Sequence, residues 1–264
     1  MTNSSTGPIA SSKVPEVTVY FWIIKILATT VGETAADLLA VRLGLGLTAT
    51  SWILTGVFAV ALAIQLRAAH YVPAPYWLTV VLISVVGTLV SDNLVDGMGV
   101  SLVTTSIAFA SILGVVFLAW NWNEGTLSIH SIVTRRRELF YWLAILFTFA
   151  LGTSAGDLVA ERLDLGYGVA ALAFAGSIAL IFIAYRFSLA GPVLSFWIAY
   201  ILTRPLGASI GDFLAKPHIA GGMGWGTIYT SLLFVAMILA LVTLLTVTKT
   251  DRIAFVADDV RNDR

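Results

Sequence analysis

One spacing occurs four times along this chain: a Trp, nine residues, a Gly, four residues and an Asp. Each copy lies within or at the end of an apolar run long enough to cross a bilayer, where a carboxylate is energetically costly. Four copies at a constant spacing indicate a duplicated unit whose Asp serves either the function or the stability of the fold. The copies are Trp22/Gly32/Asp37, Trp77/Gly87/Asp92, Trp142/Gly152/Asp157 and Trp197/Gly207/Asp212.

The composition predicts the class of fold. Apolar residues make up 58% of the 264 residues and charged residues 11%, whereas soluble domains average roughly 45–50% and 25%. We therefore expect an all-α integral membrane protein. Apolar runs of about 20 residues, the length that a spanning helix needs, predict eight transmembrane helices, near 18–40, 48–66, 76–95, 100–120, 139–160, 168–187, 192–214 and 226–247.

The intervals between repeats predict how the helices are organised. Successive Trp residues of the motif are 55, 65 and 55 residues apart, so each repeat is expected to be a hairpin of two helices. Because every repeat has an even number of spans, all four enter the membrane in the same direction, as parallel repeats in two pseudo-symmetric halves. The predicted parts are an N-terminal tail, 1–17; a first half, 18–120; a linker, 121–138; a second half, 139–247; and a C-terminal tail, 248–264.

The distribution of Lys and Arg predicts the orientation. One side of the predicted membrane region holds only Arg42, Arg162 and Lys216. The positive-inside rule therefore places the other side, with both termini and the linker, in the cytoplasm. That side holds Lys13, Arg67, Arg135, Arg136, Arg137, Arg186, Lys249, Arg252, Arg261 and Arg264.

The Gly and the Asp of each motif are expected to have different roles. Five residues of helix separate them by about 140° around the axis, so they cannot both face the same neighbour. Small residues allow membrane helices to approach closely, which predicts packing positions at Gly32, Gly87, Gly152 and Gly207. The four Asp residues lie at one depth, near the outer ends of the odd-numbered helices, and the sequence permits them to converge on a common axis.

Further ionisable residues distinguish two of the repeats. Glu33 lies four residues before Asp37, so both carboxylates share one helical face. Lys25 and Arg204 lie deeper in the first and seventh helices. We expect these two cations to act as coupling residues or counter-charges for the carboxylates.

The side chains of the motif favour a hard cation as ligand. The candidate metal ligands are Glu33, Asp37, Asp92, Asp157 and Asp212. Paired carboxylates bind a cation or a proton, and oxygen ligands suit Mn²⁺, Mg²⁺ or Ca²⁺. The chain has no Cys, and its His residues lie outside the predicted helices, which argues against zinc and copper. We therefore expect a bound divalent cation, with Mn²⁺ first, and no other cofactor.

The repeated pattern resembles a bacterial membrane family built from a repeated segment of unknown function, and GETAAD in the first copy is its most recognisable element. The resemblance covers nearly the whole chain outside the tails and implies a protein of the bacterial inner membrane. The acidic residue of GETAAD is retained only as Glu33; the matching positions are Thr88, Thr153 and Ala208. A chemical analogy, without a shared spacing, links the motif to cation exporters that bind manganese or calcium through a Glu-x-Gly-Asp signature.

These observations predict a transporter of a small hard cation that works by a secondary, proton-coupled mechanism. The chain lacks the HExxH and P-loop motifs, so we expect no enzymatic activity. Its formal net charge of zero gives no basis for nucleic-acid binding; membrane lipid and the cation are the expected partners, and a homo-oligomer is left open. The alternative is a structural or partner-binding subunit whose Asp residues form ion pairs, such as Asp37 with Arg42 and Asp157 with Arg162. A cation channel is a lesser alternative.

Overall fold

The computed structural model of the protein describes residues 12–162 and 165–251, and every regular element in these ranges is helical. The absence of strands from the described ranges agrees with the predicted all-α class. Short connections join the eight long helices. They are α1 Val19–Asp37, α2 Leu47–Arg67, α3 Pro73–Asp92, α4 Leu102–Glu124, α5 Arg135–Asp157, α6 Gly166–Arg186, α7 Pro192–Ala215 and α8 Thr227–Thr248.

Local sequence explains where these helices begin and end. The side chain of Thr134 accepts a hydrogen bond from the backbone N–H of Arg137 and caps α5, and Pro192 occupies the first turn of α7, where its missing N–H costs nothing. Gly125 ends α4 in the left-handed conformation, with φ of 70°. The connection expected at 121–138 is therefore shorter than predicted, because polar residues at both of its ends continue the helices.

The odd-numbered helices form a closed ring of four. Helix α1 packs against α3, α3 against α5, α5 against α7, and α7 against α1. We call these the inner helices, and α2, α4, α6 and α8 the outer helices. Each outer helix packs along the inner helix of the following repeat: α2 on α3, α4 on α5, α6 on α7 and, closing the circle, α8 on α1.

This cyclic arrangement corrects one part of the sequence-based organisation. The two helices of a repeat were expected to pack as a hairpin, but within the described residues α1 and α2 share few contacts. The two halves are not separate packing units either, because α3 packs on α5 much as α1 packs on α3. Each outer helix makes far more of its contacts with the inner helix of the next repeat than with the inner helix of its own repeat.

The four motif glycines lie at the contacts that close the ring. A methyl group added to Gly32 would overlap Ser84 of α3, and one added to Gly87 would overlap Phe149 of α5. In the same way Gly152 lies against Arg204 of α7, and Gly207 lies against Thr29 of α1. In every case the neighbour is the residue three positions before the Gly of the next repeat, so one small-residue contact is used four times.

Seven of the eight helices are long and apolar enough to cross a membrane, as in a multi-pass membrane protein. The exception in the described chain is α1, which bears Lys25, Glu33 and Asp37. Helix α1 lies in the ring between α3 and α7 and is covered by α8, so most of its polar side chains face protein. The most apolar windows of α2 and α6 are only 11% buried, against 56% for α3, α5 and α7, so the outer helices expose the apolar surface that lipid would cover.

The acidic cavity and the closed axis beneath it

A cavity of about 310 Å³ lies at the end of the ring where the inner helices finish. We call it the acidic cavity. All five carboxylates predicted as metal ligands line it, and Asp96 and Lys216 complete its polar wall. The predicted set is Glu33, Asp37, Asp92, Asp157 and Asp212.

Helix geometry explains why these side chains meet. The residue after each motif Gly and the motif Asp are four positions apart, which brings them to nearly the same face of the helix. With the Gly against the next inner helix, that face turns toward the axis of the ring. The four Asp residues, one from each repeat, therefore share a single space.

The backbone changes immediately after the Asp in three of the four repeats. Wider π-helical turns follow at Leu38–Arg42, Asn93–Gly97 and Leu158–Arg162, whereas α7 continues as α-helix to Ala215. The second of these turns contains Asp96, which lines the acidic cavity. Turns of this kind occur often at functional sites, and the sequence analysis did not predict them.

The carboxylates of the cavity have unequal partners. Asp37 accepts a hydrogen bond from Thr227 Oγ1 at 3.0 Å, and Asp212 lies 3.3 Å from Lys216 Nζ. The Asp92 side chain makes no hydrogen bond or ion pair with any residue in the described ranges.

The ion pair between Asp37 and Arg42, which the structural alternative required, does not form among the described side chains. The matching pair, Asp157 with Arg162, involves a side chain outside the described part of the structure.

Directly beneath the cavity, the buried Arg204 occupies the axis. Its guanidinium donates hydrogen bonds to Glu33 at 3.1 Å, to Thr153 at 2.8 Å, to Thr88, and to the backbone carbonyl of Thr29 at 3.1 Å. Glu33, Thr88 and Thr153 are the residues that follow the Gly in the first three repeats. One cation from the fourth repeat thus joins all four inner helices.

Lys25 lies in the same core and is 1% exposed. Its ammonium group donates to the carbonyl of Tyr200 at 2.9 Å and to Thr203, and it lies 3.8 Å from the centre of the Tyr200 ring. Unlike Arg204, it contacts no carboxylate in the described chain. The predicted counter-charges are therefore placed differently: Arg204 is paired with Glu33, while Lys25 is held by neutral oxygens and an aromatic face.

The acidic cavity brings carboxylates together without forming a compact ligand cluster. No group of three or more His, Cys, Asp or Glu side chains in residues 12–162 and 165–251 is close enough to hold a metal ion. In this conformation the cavity can concentrate cations through its negative potential. Direct ligation by three or more of these side chains would need them to move closer together.

The opposite end of the ring is closed by residues that the sequence analysis did not single out. The segment 12–18 covers this end: Lys13 forms an ion pair with Glu138 at 2.7 Å, and Gln65 donates to the same carboxylate at 3.1 Å. Glu138 is fully buried. Its position four residues before Trp142, on the same helical face, was the one available signal, but the residue was assigned to the linker.

Backbone contacts bring both ends of the described chain to this side of the ring. The N–H of Lys13 donates to the carbonyl of Ile132, and the N–H of Tyr71 donates to that of Ser12. Glu16 N–H donates to the carbonyl of Asp251 at 2.9 Å. Residues 12–17, which were assigned to a tail, are therefore part of the folded structure.

Comparison with known proteins identifies the repeat. A family described as "Repeat of Unknown Function (DUF347)" matches four segments, residues 20–71, 75–126, 140–189 and 195–251. Each segment contains one inner and one outer helix, which confirms both the fourfold repeat and the resemblance based on GETAAD. The chain has no match among curated proteins or among solved structures.

Proposed function

We propose that this chain, which belongs to the DUF347 repeat family, is a membrane transporter for a small hard cation. The observation that supports this function is the convergence of Glu33 and of one Asp from each repeat on a single cavity. Carboxylates in a membrane region are costly unless they are paired or used. Asp92 makes no hydrogen bond or ion pair in the described structure, so it is the carboxylate for which a functional role is best supported.

The chemistry of the lining favours a hard divalent cation as substrate. Carboxylate oxygens suit Mn²⁺, Mg²⁺ and Ca²⁺, and Mn²⁺ is our first choice. The distribution of Lys and Arg supports cytoplasmic termini in a bacterial inner membrane. The acidic cavity would then open toward the outside of the cell, and the end covered by residues 12–18 would face the cytoplasm.

The closed axis favours a carrier over a channel. Arg204 and Lys25 are both buried beneath the cavity, and two positive charges on the axis would repel a cation moving straight through. In a carrier cycle, an arriving cation replaces Arg204 as the partner of Glu33, and helix movement then exposes the site to the other side. When the cation leaves, protons replace it on the carboxylates, which couples movement of the cation to movement of protons in the opposite direction.

The sharpest test uses Asp92→Asn in purified protein reconstituted into liposomes. We expect Mn²⁺ uptake, measured with an indicator dye inside the vesicles, to fall at least tenfold. The melting temperature in detergent should stay the same or rise, because the carboxyl group that is replaced makes no hydrogen bond or ion pair in the described structure. Glu33→Gln should also abolish uptake.

Glu124→Gln is the matched control, since Glu124 pairs with Arg137 at the opposite end of the molecule. It makes the same chemical change outside the acidic cavity and should transport normally. Normal uptake by both Asp92→Asn and Glu33→Gln would contradict the transport proposal.

A second candidate function is structural, and the contacts of Arg204 favour it. Because one guanidinium bonds to α1, α3 and α5 from α7, the polar layer can also serve to hold the ring together in a membrane subunit. In that case Asp92→Asn would leave every measured property unchanged. Asp92→Asn therefore distinguishes the two functions: Mn²⁺ uptake falls if the protein is a transporter and does not change if its role is structural.

A further inference from the structure

A second and larger cavity, of about 750 Å³, lies at the end of the ring opposite the acidic cavity. It is formed by α1, α6 and α7 and by the connection between α4 and α5, around residues Leu127 to His130. None of the motif carboxylates lines it. We call it the apolar cavity.

The walls of the apolar cavity are hydrophobic over the depth of one membrane leaflet. Lining residues on α6 extend from Ala175 to Tyr185, which is about 15 Å of helix at 1.5 Å per residue. The hydrocarbon core of a bilayer is about 30 Å thick, so this depth corresponds to half of it. Small side chains, including Ala175, Ala179 and Ala199, leave the space open.

The mouth of the apolar cavity is polar and includes one carboxylate. Glu16, Thr18, Ser128 and His130 lie there, at the level where α1 begins. The first turn of α7, with Pro192 and Val193, is also part of the wall.

The fourfold pattern of the repeats is broken at this place. The motif residues Trp77, Trp142 and Trp197 are no more than 3% exposed, whereas Trp22 is only half-buried and lines the apolar cavity. Three of the motif Trp side chains are thus packed inside the protein. Trp22 instead contributes to the wall of a cavity between α1, α6 and α7.

We infer that the apolar cavity binds one phospholipid with an amine-bearing zwitterionic headgroup. An acyl chain fits the apolar slot along α6, and its length matches the depth of a leaflet. Glu16 pairs with the ammonium of the headgroup, while the hydroxyls of Thr18 and Ser128, His130 and the free N–H groups of the first turn of α7 bind the phosphate. This site does not depend on cation transport, only on the insertion of the helices in a bilayer.

The test is native mass spectrometry of the full-length protein purified in detergent, with phosphatidylethanolamine or phosphatidylglycerol of identical acyl chains added. We expect one phosphatidylethanolamine to remain bound and to raise the melting temperature. Ala179→Trp fills the slot and should reduce its retention at least tenfold. The adjacent Leu180→Trp, at a side chain that faces outward and is 67% exposed, is the control and should bind like the wild type.

Two further outcomes decide the assignment. Glu16→Gln should remove the preference for phosphatidylethanolamine while leaving phosphatidylglycerol binding unchanged. If Ala179→Trp does not fold, Ala175→Leu makes the same test with a smaller side chain. Equal retention of the two lipids by the wild type, equal retention by the filled variant, or an adventitious additive only, meaning bound detergent in place of lipid, would overturn the inference.

Discussion

The two ends of the inner ring are built by the same four helices, yet their carboxylates differ in how they are paired. At the end covered by residues 12–18, Glu138 is fully buried and paired with Lys13 at 2.7 Å. At the other end, carboxylates from all four repeats share one cavity. One of them, Asp92, makes no hydrogen bond or ion pair in the described chain. One end is neutralised and closed, and the other is electronegative and open.

This difference shows that the repeat determines only part of the molecule. The Gly and Asp of the motif produce the ring and the acidic cavity four times over. The closed end depends on residues without counterparts in the motif, Lys13 and Gln65 among them. Residues outside the motif therefore make the two ends of the ring different.

The largest effect is expected from breaking the buried ion pair at the closed end. Lys13→Met leaves the Glu138 carboxylate buried without its cation, and such changes cost about 3–5 kcal/mol. We expect a large fall in the melting temperature of the purified protein. The double variant Lys13→Met/Glu138→Leu should recover most of the loss, because no unpaired charge then remains.

The control for this change is Arg136→Gln, which breaks a pair with Glu124 at 3.4 Å in which the Arg136 side chain is 63% exposed. Exposed pairs contribute about 0–1 kcal/mol, so this variant should melt close to the wild type. If Lys13→Met lowered the melting temperature no more than Arg136→Gln does, the buried ion pair would not stabilise the closed end.

A smaller effect is expected in the layer between the two ends. Gly152→Ala places a methyl group against Arg204 and Pro205 of α7, and overpacking of this kind costs about 1–3 kcal/mol. Gly114→Ala on α4 is the matched control, because no atom lies near the added methyl group and Ala favours helix over Gly. In thermal unfolding, Gly152→Ala should melt at a lower temperature than Gly114→Ala. The same stability in both would mean that the glycine contacts do not close the ring.

The smallest effect is expected at the open end. Thr227→Val removes the hydrogen bond that Asp37 accepts from Thr227 Oγ1, and a bond of this type contributes about 1 kcal/mol. The melting temperature should fall slightly. Thr246→Val on the same helix, where the exposed hydroxyl donates to the backbone carbonyl of Val242, should have no measurable effect. A loss as large as that of Lys13→Met would show that the open end is a structural element as well.

Several features of the candidate site could be predicted from the sequence because they repeat at a helical period. The spacing of the motif places the residue after each Gly and the Asp on one face, and the even number of helices per repeat brings those faces to the same end. The convergence of the Asp residues, which the sequence permitted, is present in the structure as the acidic cavity. The ligation of a metal ion there stays a prediction.

Other features depend on contacts between residues that are far apart in the chain, and no local pattern encodes them. Arg204 is 171 residues from Glu33, and Lys13 is 125 residues from Glu138. Which residues pair was not predictable, because it depends on how each helix is rotated once the ring has closed. The same holds for the packing of each outer helix on the next repeat and for the apolar cavity beside Trp22.

The sequence by itself determined the helical class, the four repeats and the shared depth of the Asp residues, since these follow from composition and from periods of 3.6 and about 55–65 residues. Only the tertiary structure decided that the repeats close into a ring, that Arg204 and Lys25 occupy its axis, and that residues 12–18 cover one end. The physical reason is that side-chain packing between distant helices selects one closed arrangement among several that satisfy the same local periodicity.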